Sequence, residues 1–354
     1  MALTLRRRLG SSTLLADEHG RWAFEPAALP EDEPDPRELA ARSLASWAGP
    51  ARHLLLLEER GVAMPLERAK AAVDFAFRTP SSGVAFELEP GRGEGAAWAA
   101  AAFAMGYAER KAEWSRRAAA FTVRLRAAPT AAQAELLERH RAEARWLADA
   151  VGAPLIPISA QRVLLSVGPE ARDAAGWVRA IAACGASSAL LEPADGVDAS
   201  FFARFYGEAL DAFLGQESLV EERAVAFLSR RRAQLPGYDV LNELAYAPDG
   251  SVRSSERGLR LGDTLGDLYH ELKDSSIVKA CVAAALPDNQ PSCQACVYRS
   301  HCSVPPSRHW ETQGTLWGRV PDSLWCALHM AVLDAVFSRL ADERSAFALR
   351  RWQA

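Results

Sequence analysis

Five of the chain's six cysteines fall between residues 281 and 326, and this run constrains the fold more than any other stretch. They are Cys281, Cys293, Cys296, Cys302 and Cys326, with a core spacing Cys-x2-Cys-x5-Cys and the last cysteine 24 residues further on. Two thiolates separated by two residues can reach one metal, because the chain between them turns back on itself. Pro291, Pro305 and Pro306 bracket the run and stop a continuous helix from passing through it. Buried structural thiols would sit singly in apolar segments; four in a polar, proline-bracketed loop point to a metal or cluster site. Structural zinc usually shows two short pairs. The stretched second half here favours an iron–sulfur cluster, with zinc as the alternative.

The 354 residues have room for more than one folded unit. A formal net charge of −4 gives no bulk electrostatic case for nucleic acid. No apolar run reaches the roughly 20 residues of a membrane span. Ligand-spaced thiols without a secretion signal lead to the expectation of a reducing, cytoplasmic setting.

Along the chain, residues 3–27 read as β-type segments around a turn at Asp17–Gly20. An acidic, proline-rich connector (28–38) and a short helix (37–48) follow. From residue 53 strands and helices alternate: strands at 53–59, 83–89, 120–127, 162–167 and 188–194, with APLIPIS (153–159) as a further candidate. Helices are expected at 64–79, 94–118, 130–153 (Thr130 as N-cap), 169–186, 199–214 and 217–233. Repeated βα units imply a parallel sheet, open or partly closed as a barrel. After Gly237, Pro248-Asp249-Gly250 marks a hairpin turn. A helix at 265–285 leads into the cysteine loop, and 323–352 reads as one helix with Cys326 in its first turn. Three units result: an N-terminal hairpin segment (1–50), a βα domain (51–235) and a C-terminal cysteine domain (236–354).

CVYRSHC, then QGTLWGR, then a final cysteine ahead of a long helix resemble the SPASM domain of radical SAM peptide maturases, those of the His-Xaa-Ser peptide system above all. LAYAPDG is similar to the turn entering their auxiliary-cluster domain, MPLERAKAAVDFAF to the helix after their cluster loop, and STLLADEHGRWAF to their N-terminal hairpin. The resemblance implies an α/β fold, a partial (β/α) barrel of radical SAM type with a SPASM-like cysteine domain. It also implies differences. The family's Cys-x3-Cys-x2-Cys loop after the first strand is missing, since HLLLLEE runs through Arg60-Gly61-Val62-Ala63 into the helix and no cysteine precedes Cys184. The Gly-Gly-Glu-Pro that binds the amino end of SAM is replaced by Glu87-Leu88-Glu89-Pro90. Ser255 and Pro306 stand where two ligands of a first auxiliary cluster would be. The ligands of the second map onto Cys293, Cys296, Cys302 and Cys326.

The resemblance therefore implies one [4Fe–4S] cluster (zinc as the alternative), no SAM chemistry, and a pseudoenzyme whose partner is a precursor peptide or an active radical SAM maturase. Cys281 falls outside the set as a spare thiol, and Cys184 reads as core packing. His301, His309 and His329 read as hydrogen-bonding or surface residues. The competing reading is an enzyme, working through the auxiliary cluster or through the strand-end carboxylates Glu58, Glu59, Glu87 and Glu89, where a barrel would place its chemistry. A zinc-bearing structural protein is a third.

Overall fold

A computed structural model describes residues 5–9, 12–16, 22–24, 52–78, 83–91, 95–151, 161–228, 243–254, 258–262, 280–281, 284–285, 290–299, 301–302 and 306–352. The turn at 17–20, the connector at 28–38, the helix at 37–48, the segment 153–159, Ser255 and most of the helix at 265–285 lie outside these residues.

Three short strands open the chain: β1 (Leu5–Leu9), β2 (Ser12–Ala16) and β3 (Trp22–Phe24), paired antiparallel in that order. The expected hairpin is the β2–β3 pair, with β1 added to its other edge. Leu14, Ala16, Trp22 and Phe24 turn into the chain's own core. The apolar face of this small sheet is thus already covered.

The main body is a mostly parallel ten-stranded sheet. Its strands in chain order are β4 (Arg52–Leu56), β7 (Gly83–Glu89), β8 (Ala118–Leu125), β9 (Glu143–Asp149), β10 (Arg162–Val167), β11 (Ser188–Pro193), β12 (Val220–Glu221), β13 (Glu243–Tyr246), β14 (Val252–Arg253) and β15 (Arg260–Gly262). From β4 to β12 neighbours in the sheet follow chain order. β13 pairs in parallel with the other edge of β4, and the Pro248–Gly250 turn reverses the chain into β14 as the sequence indicates. Between β4 and β7, β5 (Glu58–Glu59) and β6 (Val62–Ala63) form a tight hairpin ahead of α1 (Leu66–Ala76).

Helices α2 (Ala96–Ser115), α3 (Ala131–Arg139), α4 (Ala174–Ala183), α5 (Ala199–Leu214) and α6 (Glu222–Leu228) fall between the strands. Side chains alternate across a strand, so Leu55, Val84, Phe86, Leu88, Val123, Trp146, Val163 and Leu165 bury one face in the main core. α3 begins where Thr130 indicates, in a capping box with Gln133. It ends much earlier than the expected residue 153, however. Arg141 takes a left-handed φ of 49° and the chain re-enters the sheet as β9. EARWLAD is built from good helix formers, but parallel pairing with both β8 and β10 overrides that local preference.

The cysteine-rich segment and the residues after it carry α7 (Pro291–Gln294), α8 (Pro306–Gln313), α9 (Leu324–Leu340) and α10 (Glu343–Arg351). The expected single helix over 323–352 is two, bent by 109°, because Asp342 caps α10 by accepting from the Ser345 N–H. Among the described residues no single helix is long and apolar enough to cross a membrane. α9 packs along α5, where Arg339 pairs with Asp211 at 2.8 Å. That contact holds the C-terminal segment against the sheet's helices.

Candidate functional site

Cys293 lies in the single turn of α7, Cys296 just after it, Cys302 past a second turn, and Cys326 in the first turn of α9. Consecutive backbone bonds wind the loop: Gln290 C=O accepts from the Cys293 N–H, Cys293 C=O from the Cys296 N–H, and Tyr298 C=O from the Cys302 N–H. All four line one cavity of about 690 Å³. Cys302 Sγ lies 3.2 Å from His329 Nδ1, and Cys326 Sγ 3.9 Å from Met330 Sδ. In this arrangement no three His, Cys, Asp or Glu side chains among the described residues stand close enough together to hold a metal ion. The donor set and its common wall suit a four-thiolate centre; the thiols do not yet converge on one point. Arg6, Arg7 and Arg299 also line the cavity, against a single aspartate, Asp334, among the described residues. Four thiolates around Zn²⁺ or an oxidised [4Fe–4S]²⁺ core leave two negative charges, so the sign of this lining suits such a centre.

Cys281 is outside the cavity and buried, and burial pushes its thiol up to about 11. That is an inert packed thiol. His301 gives Nδ1 to the Phe227 carbonyl at 2.8 Å and is structural. His329 is fully enclosed, and burial with Arg223 nearby brings it down to about 3, so it is neutral at pH 7. His309 also reaches the cavity wall. Pro306 starts α8 and carries no donor.

Three of the four strand-end carboxylates, Glu59, Glu87 and Glu89, are held in ion pairs. Glu87 and Glu89 share the sheet face opposite the main core and are 5% and 7% exposed, not the exposed groups expected of strand ends. Arg124 bridges them, with Nε 2.8 Å from Glu87 and Nη1 3.0 Å from Glu89. Arg126 reaches Glu89 at 3.2 Å and Arg145 reaches Glu87 at 3.4 Å. Arg145 and Arg162 then join Glu222, at 3.1 and 3.0 Å. Burial raises the Glu87 carboxyl, but Arg124 and Arg145 outweigh it and hold it at about 2. A carboxylate so held is a poor base at neutral pH. Glu59 is likewise taken up, by Arg253 at 2.7 Å. Sequence reading missed Arg124, Arg145 and Glu222. The only available signal was the alternation of charge in VRLR and EAR.

Two solved structures share this architecture: "Native anSMEcpe with bound AdoMet", and the same protein with bound AdoMet and Cp18Cys peptide. Each superposes with a TM-score of 0.63, over 84% of this chain and 100% or 99% of theirs, at 10% sequence identity. The fold is that of a radical SAM/SPASM enzyme. At that identity the likeness speaks for the fold alone. No protein-family model matches the chain, and no curated protein does.

Within the radical SAM/SPASM fold, the connection after the first sheet strand is where the resemblance expects three cysteines. Here it is the β5–β6 hairpin, turned by Arg60 and Gly61 at φ 54° and 78°, and residues 52–78 contain no cysteine. Glu87–Pro90, where the resemblance expects the motif for the amino end of SAM, carries the paired carboxylates.

Proposed function

We propose that this chain is a catalytically degenerate radical SAM-like accessory, which keeps one four-cysteine metal site and binds a peptide during modification of a ribosomally made peptide. The observation that carries this reading is the β4–α1 connection. It is closed by its own two-residue strands and offers no thiolate to a SAM-cleaving cluster. The ion pairs on Glu87 and Glu89 support it, because they tie up two of the carboxylates that the enzyme alternative would use. Cys293, Cys296, Cys302 and Cys326 would hold a [4Fe–4S] cluster or zinc, and such a group would serve as a staple between the cysteine loop and α9. A peptide partner is favoured over a maturase because a protein of this fold was solved with a peptide bound. Trp310, Trp317 and Leu324, which lie in the sequence between Cys302 and Cys326, are exposed and would offer that partner apolar contacts.

Reduced protein, supplied with AdoMet under anaerobic conditions, should form no 5′-deoxyadenosine above the protein-free control. Pull-down with peptides encoded beside the gene should capture one of them. Turnover that vanishes when any sheet residue is substituted would sink the pseudoenzyme reading. Capture of an intact maturase and no peptide would replace the partner.

A further inference from the structure

The N-terminal strand reaches the cysteine cavity from the far end of the chain. Arg7, on β1, makes a two-pronged pair with Asp334, Nε and Nη2 each 2.5 Å from a carboxylate oxygen, across 327 positions of sequence. Asp334 lies on α9 two turns beyond Cys326. Its Oδ1 also accepts from the Tyr298 hydroxyl at 2.5 Å, and Tyr298 sits between Cys296 and Cys302. The Arg7 guanidinium stacks 5.4 Å over the Tyr298 ring. One residue of β1 therefore touches both arms that carry the thiols: the loop through Tyr298 and the helix through Asp334. Arg6 and Arg7 both line the cavity. Trp22 of β3 is seated edge-on against Phe337 of the same helix, ring centres 5.4 Å apart, so the rest of the small sheet follows β1 onto α9.

We infer that β1 is a wall of the metal site, with Arg7 as the positioning residue that couples docking of the N-terminal sheet to occupancy of Cys293, Cys296, Cys302 and Cys326. The inference rests on the four-thiol reading of the cavity. Tyr298 and Asp334 already receive Arg7 together while no three of the thiols stand close enough to share an ion, so a bound centre would not create this contact but would fasten together the loop and helix that carry it. With the site unloaded the same contact opens more readily and the sheet loosens. Coupling of this kind is reciprocal: whatever the metal contributes to docking, docking contributes to metal affinity. The N-terminal segment would thereby report whether the site is loaded.

The test uses the full chain with Zn²⁺ as probe, its affinity read by competition with a chromophoric chelator, and hydrogen exchange followed over residues 5–24. Zn²⁺ should slow exchange in β1 and β2 by about tenfold in the wild type. Arg7→Met should weaken Zn²⁺ binding by about the same factor and abolish the slowing, and Arg7→Lys, which keeps the charge but not the fork, should fall between. Exchange in β10 serves as the check that the variants fold. Should Arg7→Met fail it, Asp334→Asn breaks the same contact from the helix side and must show the same two losses. Unchanged Zn²⁺ affinity in the folded variants, or β1 exchange indifferent to Zn²⁺ in the wild type, overturns the coupling while the four-thiol site stands. A wild type that takes up neither zinc nor iron overturns the four-thiol reading, and the coupling with it.

Discussion

Cys296→Ala is expected to purify without metal, whereas wild-type protein prepared without oxygen carries about four Fe and four sulfides per chain. Cys296 is the thiol between the two backbone turns of the loop, and its N–H already bonds to the Cys293 carbonyl. Losing it leaves three ligands on a centre that needs four. The structural consequence should be large. α7 is four residues long, too short to hold itself by helical bonds. Apparent binding free energies of structural zinc run to about 10–16 kcal/mol, and that energy is folding energy wherever the site is not preformed. With so little regular structure in the loop, part of its order should come from the metal. Hydrogen exchange over 290–302 should rise sharply in the variant. Cys281→Ala should leave metal content unchanged, since that thiol packs outside the cavity. Stoichiometric zinc without iron would replace the cluster and keep the ligands. Metal retained in full by Cys296→Ala would remove the ligand assignment itself.

Arg124→Met should cost about 3–5 kcal/mol at pH 7, the range found when one partner of a buried ion pair is removed. The substitution leaves Glu87 with Arg145 at 3.4 Å and the field of Arg52, and Glu89 with Arg126 at 3.2 Å. Acid provides the sharper reading. In the wild type Glu87 is held at about 2, below its ordinary 4.5. A depressed carboxyl stabilises the fold above its unfolded value and loses that contribution as pH falls, here between about 4.5 and 2, worth roughly 3 kcal/mol. With Arg124 gone, burial dominates and Glu87 takes up a proton more readily, which relieves the unpaired charge. The destabilisation by Arg124→Met should therefore shrink as pH is lowered from 7 to 4, and Glu87→Gln added to it should recover part of the loss. Urea denaturation at the two pH values decides this. A cost below about 1 kcal/mol, or one that does not change with pH, would mean that the network on this face does not act as a unit.

The two predictions touch parts of the chain that were unequally legible. Cys293, Cys296 and Cys302 were readable because ligand spacing is local: ten residues with two turns can only fold back on themselves. The missing cysteines after the first strand were readable for the same reason, as were Thr130 at the start of α3 and the Pro248–Gly250 turn. In these places one or two side chains bond their own backbone within a few residues. β9 was not readable, because a segment of helix-forming residues becomes a strand only when β8 and β10 stand on either side of it. Nor was the break at Asp342, where one capping carboxylate redirects an otherwise continuous helical pattern.

By itself, then, the sequence determined the spacing of the cysteines, the alternation of strands and helices, and the lack of any cysteine between β4 and α1. All of these are set by spacing and by bonds within a turn. Only the tertiary structure decided that Glu87 and Glu89 are closed off by Arg124, Arg126 and Arg145, since register between parallel strands places those side chains on one face. Only it brought Cys326 to the wall that holds the other three thiols, and Arg7 to the helix that carries Cys326. A charged side chain meets its partner across 327 positions through the packing of everything between them, and no local pattern records that distance.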